Sequence, residues 1–262
     1  MKAAIIGTGN LGLAIAKGLV ANNAVEQLYL TKRNPKSLQN AFEQENVVVT
    51  ADNLEAVKNS DILIFAVQPR HFSAVLKEIQ SELKPNHVVI STITGFRIKA
   101  MEEIIGKDIS IIRAMPNTAI AVGKSMTCVC SNQTGKTQVP MALDIFNQLG
   151  ASIEIPEEQM QAATVICASG IAFWMRLIRA TTQGAIQLGF ESNEALQMSV
   201  QTCLGAASLL IESGNHPEQE IDRVTTPGGC TIEGLNEMEH QGLSSSLIKG
   251  LVTSYEKINQ IS

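Results

Sequence analysis

Over its first 156 residues the chain alternates short apolar runs with stretches of helical period, and no other feature restricts the fold as strongly. The apolar runs are AAII (3–6), QLYL (27–30), VVV (47–49), DILIFAV (61–67), HVVIST (87–92) and ISIIRA (109–114). Helical patterns fall between them over Leu11–Val20, Lys36–Glu43, Leu54–Lys58, Phe72–Ile79 and Ile98–Ile105. Short strands separated by helices build βαβ units, whose strands run parallel and are covered by helices on both faces. After Pro116 the pattern predicts two sheet-edge strands, in AVGKSMTCVC and SIEI (152–155), around one more helix that ends at Leu149. The α/β pattern stops near Pro156.

From Glu157 onward only helical period remains, in EEQMQAATVICASGIAFWMRLIRATTQGAIQL, ESNEALQMSVQTCLGAASLLIES and SSSLIKGLVTSYEKINQ. The chain therefore divides into an α/β domain, residues 1–156, and an all-helical domain, residues 157–262. Between Gln159 and Gly189 only Arg176 and Arg179 carry charge, so this helix is apolar nearly all round. A small helical domain supplies too little cover for such a helix, which predicts a homodimer or higher homo-oligomer built on it.

The chain has 262 residues, 17% of them charged, and a net charge of −5. With no basic run, this balance argues against nucleic acid and anionic membrane surfaces as partners. The N-terminus lacks the order of a signal peptide, and no apolar stretch is expected to span a bilayer, so the expected location is the cytoplasm. Cys128, Cys130, Cys167, Cys203 and Cys230 are dispersed and read as buried small apolar residues, with Cys128 and Cys130 on one face of a strand. The four histidines show no ligand spacing, and no metal site is assigned.

Directly after AAII, Gly7, Gly9 and Gly12 form G-x-G-x-x-G at the start of an amphipathic helix. In that context it is the fingerprint of a Rossmann-type dinucleotide site, formed here by Gly7, Thr8, Gly9, Asn10, Leu11 and Gly12. Gly7 permits the tight turn, Gly9 lets a pyrophosphate approach the backbone, and Gly12 lets helix and strand pack closely. The helix start adds unpaired N–H groups and partial positive charge. About twenty residues on, an NAD site places an acid against the ribose hydroxyls. Here the sequence reads Thr31-Lys32-Arg33-Asn34, which suits a 2′-phosphate, so NADPH is the expected cofactor and NADH the weaker one.

A second glycine stretch, Thr225-Thr226-Pro227-Gly228-Gly229-Cys230-Thr231, leads into the helical IEGLNEMEH. Its N–H groups and threonine hydroxyls could form a nest for a carboxylate, or Thr231 could simply cap the helix. Sequence physics leaves the two readings level.

With GTGNLG, AVQPR (66–70), RAMPN (113–117), AVG (121–123), ASG (168–170) and TTPGGCTIEGL (225–235) in this order, the chain resembles the pyrroline-5-carboxylate reductase family over its full length. The resemblance implies NADPH-dependent reduction of the cyclic imine 1-pyrroline-5-carboxylate to proline. It implies a substrate-carboxylate site at Gly228, Gly229, Cys230 and Thr231, with Thr231 on the imine nitrogen. It places Ala66, Val67, Pro69, Met115, Pro116 and Asn117 along the nicotinamide side. One segment departs: Cys167-Ala168-Ser169-Gly170-Ile171-Ala172-Phe173 stands where the family has serine-glycine-serine-glycine-proline-alanine-tyrosine, which bears on substrate preference. Phe173 and Trp174 read as core.

Imine reduction also suits the residues themselves. Hydroxyacid dehydrogenases of similar plan need a lysine in the helical domain as acid or base, and none occurs here between Lys136 and Lys249. A cyclic imine is basic enough to arrive protonated near neutral pH, so positioning and a hydroxyl contact suffice. The alternatives are an NADPH-dependent reductase of another small imine or carbonyl acid, and a non-catalytic NADP-binding regulatory protein.

Overall fold

The computed structural model describes residues 1–38, 41, 42 and 44–260. The α/β part runs β1 (Lys2–Ile6), α1 (Asn10–Ala21), β2 (Gln27–Thr31), β3 (Val47–Thr50), α2 (Asn53–Lys58), β4 (Ile62–Phe65), α3 (Pro69–Ile79) and β5 (Val88–Ser91). It continues with α4 (Ile98–Ile105), β6 (Ser110–Met115), β7 (Ser125–Ser131), α5 (Val139–Asn147) and β8 (Gly150–Glu154). The strands form one sheet in the order β3-β2-β1-β4-β5-β6-β7-β8. β1 to β6 pair in parallel, as the alternation predicts, and β7 runs antiparallel to β6. The reversal follows from chain length, because residues 116–124 hold only a 3₁₀ turn, Thr118–Val122, ended by the left-handed Gly123 (φ 65°). A parallel crossover needs a longer connection, which α5 then supplies between β7 and β8.

Period two places alternate residues of each strand in two cores. Ala3 and Ile5 of β1 pack with Ile15 and Leu19 of α1 and Phe146 of α5, and Ala4 and Ile6 pack with Phe72 and Leu76 of α3 and Met101 of α4. Cys128 and Cys130 share the second core, as their spacing predicts, and among the described residues no cluster of metal-ligating side chains forms. The other cysteines are not uniformly buried: Cys167 and Cys203 are half-buried and Cys230 is exposed.

The helix expected over Lys36–Glu43 is absent as such from the described residues, where a 3₁₀ turn at Pro35–Ser37 stands instead; Gln39, Asn40 and Glu43 lie outside them. Leu38 is buried and Phe42 partly buried against the same core as α1.

The helical part contains α6 (Met160–Ala163), a π-helical segment (Thr164–Ser169), α7 (Gly170–Gln187), α8 (Ser192–Ser213), α9 (Pro217–Val224), α10 (Cys230–His240) and α11 (Leu243–Asn259). By contacts, residues 1–169 and those from Tyr255 on form one compact unit, and Gly170–Ser254 another. Within the second unit α7 packs along α8, yet only Gly170 and Thr182 of α7 are buried. Trp174 is 59% exposed and Phe173 half-buried, so neither belongs to a core within the chain. The continuous 31-residue helical run Glu157–Gln187 is, by length and composition alone, apolar enough to cross a membrane, contrary to expectation. The cause is its uncharged stretch over residues 159–175, ahead of Arg176 and Arg179.

Candidate functional site

In a sheet of this order the chain reverses its direction of winding between β1 and β4, and the crevice beyond the strand ends at that point is where such folds bind ligands. Here the crevice is a cleft of about 530 Å³ over the glycine turn. Gly7 has φ 93°, and a Cβ there would stand 2.4 Å from Val67 Cγ1 beyond the end of β4. A Cβ on Gly12 would stand 2.6 Å from the Gly7 carbonyl oxygen, whereas one on Gly9 would meet nothing within 4 Å. The turn thus falls on Gly7, the open approach on Gly9 and the close packing on Gly12.

The start of α1 has the properties of a phosphate site. Gly9 is its N-cap, no side chain caps it, and its first turn holds no acid. Asn10, Leu11 and Gly12, which open the helix, present first-turn N–H groups that the helix itself leaves unpaired. Thr8 is 1% exposed, lines the cleft, and its hydroxyl has no partner among the described residues. A buried polar group left so is a position that a ligand oxygen would satisfy.

Thr31, Lys32, Arg33 and Asn34 all reach the cleft, but they do different work. Thr31 is 2% exposed, and its hydroxyl accepts from the Gly7 N–H (3.1 Å) while its carbonyl accepts from the Thr8 N–H (2.8 Å). It therefore ties β2 to the glycine turn, and Lys32, Arg33 and Asn34 form the accessible rim. Ala66 and Val67 line the cleft beside Gly7, whereas Pro69, which opens α3, is not among the residues lining it. Arg70 and His71 also line it, and sequence reasoning did not single them out. The signal was present in AVQPR, since a residue just after a helix-opening proline follows β4 as Lys32 follows β2. No carboxylate is among the described residues lining the cleft.

Met115, Pro116 and Asn117 do not line this cleft; they sit at the end of β6, with β5 between β6 and β4. Met115 and Pro116 are buried. The Asn117 side chain bonds at both ends, its Nδ2 donating to the Cys167 carbonyl (3.0 Å) and its Oδ1 accepting from the Ala119 N–H (2.9 Å). Asn117 thus anchors the π-helical segment to the end of β6.

The second glycine stretch lies in the other compact unit. Gly228 has φ 67°, and the Gly229 N–H donates to the Thr226 carbonyl (2.9 Å) in the turn before α10. The N-cap of α10 is Gly229, with no side-chain cap, and Thr231 falls inside the first turn. This removes the reading in which Thr231 caps the helix. Its hydroxyl makes no hydrogen bond to another described residue, and Cys230 stands exposed beside it. The first-turn N–H groups are open to an anion.

Comparison with known proteins matches residues 157–261 to a family model for pyrroline-5-carboxylate reductase dimerisation and residues 2–95 to one described as NADP oxidoreductase coenzyme F420-dependent. Two Dictyostelium discoideum proteins are similar over 97% of this chain: pyrroline-5-carboxylate reductase 1 (45% identical) and pyrroline-5-carboxylate reductase 2 (40%). The chain spans 48% of the length of the first and 91% of the second. Among solved structures, a pyrroline-5-carboxylate reductase from Coxiella burnetii is similar with a TM-score of 0.94 at 30% identity, covering all of this chain and 98% of that one. The Plasmodium falciparum pyrroline carboxylate reductase with NADP bound gives 0.86 at 27% identity, over 98% of this chain and 97% of that one.

Proposed function

Because this chain belongs to the pyrroline-5-carboxylate reductase family, we propose that it reduces 1-pyrroline-5-carboxylate to proline with NADPH, the last step in making that amino acid. The observation that carries the reading is a pair of uncapped helix starts, each preceded by a glycine of positive φ: α1 for the cofactor phosphates and α10 for a substrate carboxylate. NADPH supplies the hydride when bound. The chain's own residues bind and orient. The Gly7–Gly12 turn takes the pyrophosphate, and Lys32, Arg33 and Arg70 take the 2′-phosphate. At α10, Gly228, Gly229, Cys230 and Thr231 hold the carboxylate through backbone N–H groups. The protonated ring nitrogen donates to Thr231 Oγ1, so that no lysine or histidine base is required.

A panel of small imine and carbonyl acids with purified protein and NADPH tests the reaction. Oxidation of NADPH with 1-pyrroline-5-carboxylate at least tenfold faster than with any other member is expected, and preference for a carbonyl acid would overturn the assignment. The changed run Cys167–Phe173 makes other cyclic imino acids the members to watch.

Cofactor choice is a separate expectation. With two cations at the β2 end, a third at Arg70 and no acid, kcat/KM should favour NADPH over NADH. Each charged hydrogen bond to a phosphate is worth about 1.5–3 kcal/mol, so replacing Lys32 and Arg33 together by alanine should cut the NADPH/NADH ratio by at least about tenfold. Equal constants in the unaltered protein would refute the 2′-phosphate reading.

The functional division is taken as residues 1–156 for the cofactor and 157–262 for substrate and assembly. Residues 157–261 carry a dimerisation domain, and we assign the apolar surface of α7, α8 and α11 to a homodimer or higher homo-oligomer in the cytoplasm. Leu188 and Ile211 are each 82% exposed on the single chain, and Arg176 and Arg179 make lipid an unfavourable cover for this helix. Light scattering at micromolar concentration should give at least twice 28.2 kDa. A monomer there would contradict it.

A further inference from the structure

The departed segment places a cysteine where a second thiol meets it. Cys167 lies in the π-helical turn Thr164–Ser169 and is half-buried, while Cys128 lies in β7 and is buried in the core beneath. Their sulfurs stand 3.9 Å apart and in hydrogen-bond relation. A disulfide spans about 2.05 Å between sulfurs, so closing it requires the two sulfurs to approach by about a further 1.9 Å. Cys130 shares the strand face with Cys128, but its sulfur makes no contact of this kind with Cys167, and Cys203 lies in the other compact unit. The backbone supports such a pair: the Cys167 carbonyl is held by Asn117 Nδ2 and is fixed relative to the sheet.

We propose that Cys167 and Cys128 form a reversible modification site in which a hydroperoxide oxidises Cys167 and Cys128 closes a disulfide on it. The two sulfurs share one hydrogen bond, and with the Cys128 thiol as its donor the Cys167 thiol is held below the usual cysteine range, which favours its thiolate. The same hydrogen bond, together with burial, pushes Cys128 up, so it remains the protonated partner. In the first step the Cys167 thiolate attacks one peroxide oxygen, the O–O bond breaks, and the departing oxygen leaves as water or alcohol after taking a proton. In the second, the Cys128 sulfur attacks the Cys167 sulfenic sulfur, the S–O bond breaks, and the hydroxide leaves as water with the Cys128 proton. Two thiols together lose two electrons and two protons, and the hydroperoxide is reduced.

The test uses the whole reduced protein, treated with hydrogen peroxide, alkylated under denaturing conditions and digested with trypsin. Cys128 and Cys130 share the peptide 125–136, and Cys167 lies in the peptide 137–176, so a crosslink is read directly and fragmentation tells Cys128 from Cys130. A Cys128–Cys167 link that dithiothreitol removes is expected. Cys128→Ala should abolish it and leave Cys167 as a sulfenic acid that dimedone traps, with at least tenfold more adduct at Cys167 than in the unaltered protein. Exposed Cys230 is the internal control for peroxide access. A link through Cys130, or unmodified Cys167 where Cys230 is fully oxidised, would overturn the assignment. The readout is covalent, so it is independent of whether the reaction proposed above is correct.

Discussion

Thr231→Ala is expected to lower kcat/KM with 1-pyrroline-5-carboxylate by about ten- to a hundredfold, with NADPH affinity and melting temperature essentially unchanged. The kinetic loss follows from removing a hydrogen bond to a charged nitrogen, about 1.5–3 kcal/mol, that persists into the transition state. The absence of a stability loss follows from the position of the residue. Gly229 is the N-cap of α10, and the Thr231 hydroxyl bonds no described residue, so alanine removes nothing that holds the fold. Alanine even has the higher helix propensity, by up to about 0.7 kcal/mol. Thr231→Ser should keep most of the activity. Steady-state kinetics beside thermal unfolding decides: full activity in the alanine variant would remove Thr231 from the site.

Glu157→Ala should destabilise the protein by about 3–5 kcal/mol, the largest effect foreseen for a single side chain outside the sheet core. Arg113 in β6 is 4% exposed, and its Nη1 donates to Glu157 Oε1 at 2.9 Å, while its Nε has no partner among the described residues. Removing the carboxylate leaves a nearly buried guanidinium, at the wall of a cavity it shares with Glu158, without its ion-pair partner. The same oxygen accepts from the Ile98 N–H at 2.7 Å and so serves the start of α4, which has no cap from Arg97, its own N-cap residue. One deletion thus breaks an ion pair and strips a helix end. Glu157→Gln, which keeps an acceptor for both donors, should cost clearly less. Urea titration of the three proteins checks the order, and a Glu157→Ala variant within about 1 kcal/mol of the parent would disprove the buried-pair account.

The same two regions show how far the sequence could be read. The G-x-G-x-x-G turn was legible because each glycine answers a local demand: φ 93° at Gly7, contact with the Gly7 carbonyl at Gly12, and open space at Gly9. Thr231 was legible as a residue of interest but not in its role, because whether it caps depends on the residue at which α10 starts. Arg70 was missed because the cleft is assembled from the ends of β1, β2 and β4, and only their pairing brings it opposite Lys32 and Arg33. Asn117 was read as nicotinamide-facing, and the sequence did not show that its side chain also bonds Cys167 and Ala119, partners chosen by how the π-helical segment and the 3₁₀ turn fold back.

By itself the sequence determined the parallel sheet, the glycine turn, the lack of an acid at the β2 end and the apolar character of residues 159–175. Each of these is local: it depends on the period, the φ or the charge of residues close together in the chain. Only the tertiary structure decided that Thr31 is spent on the turn, that β7 reverses, that Glu157 meets Arg113 across 44 residues of chain and that Cys128 meets Cys167 across 39. These contacts join residues distant in sequence, and the free energy that selects them comes from packing the two cores and satisfying buried polar groups, which no local pattern encodes.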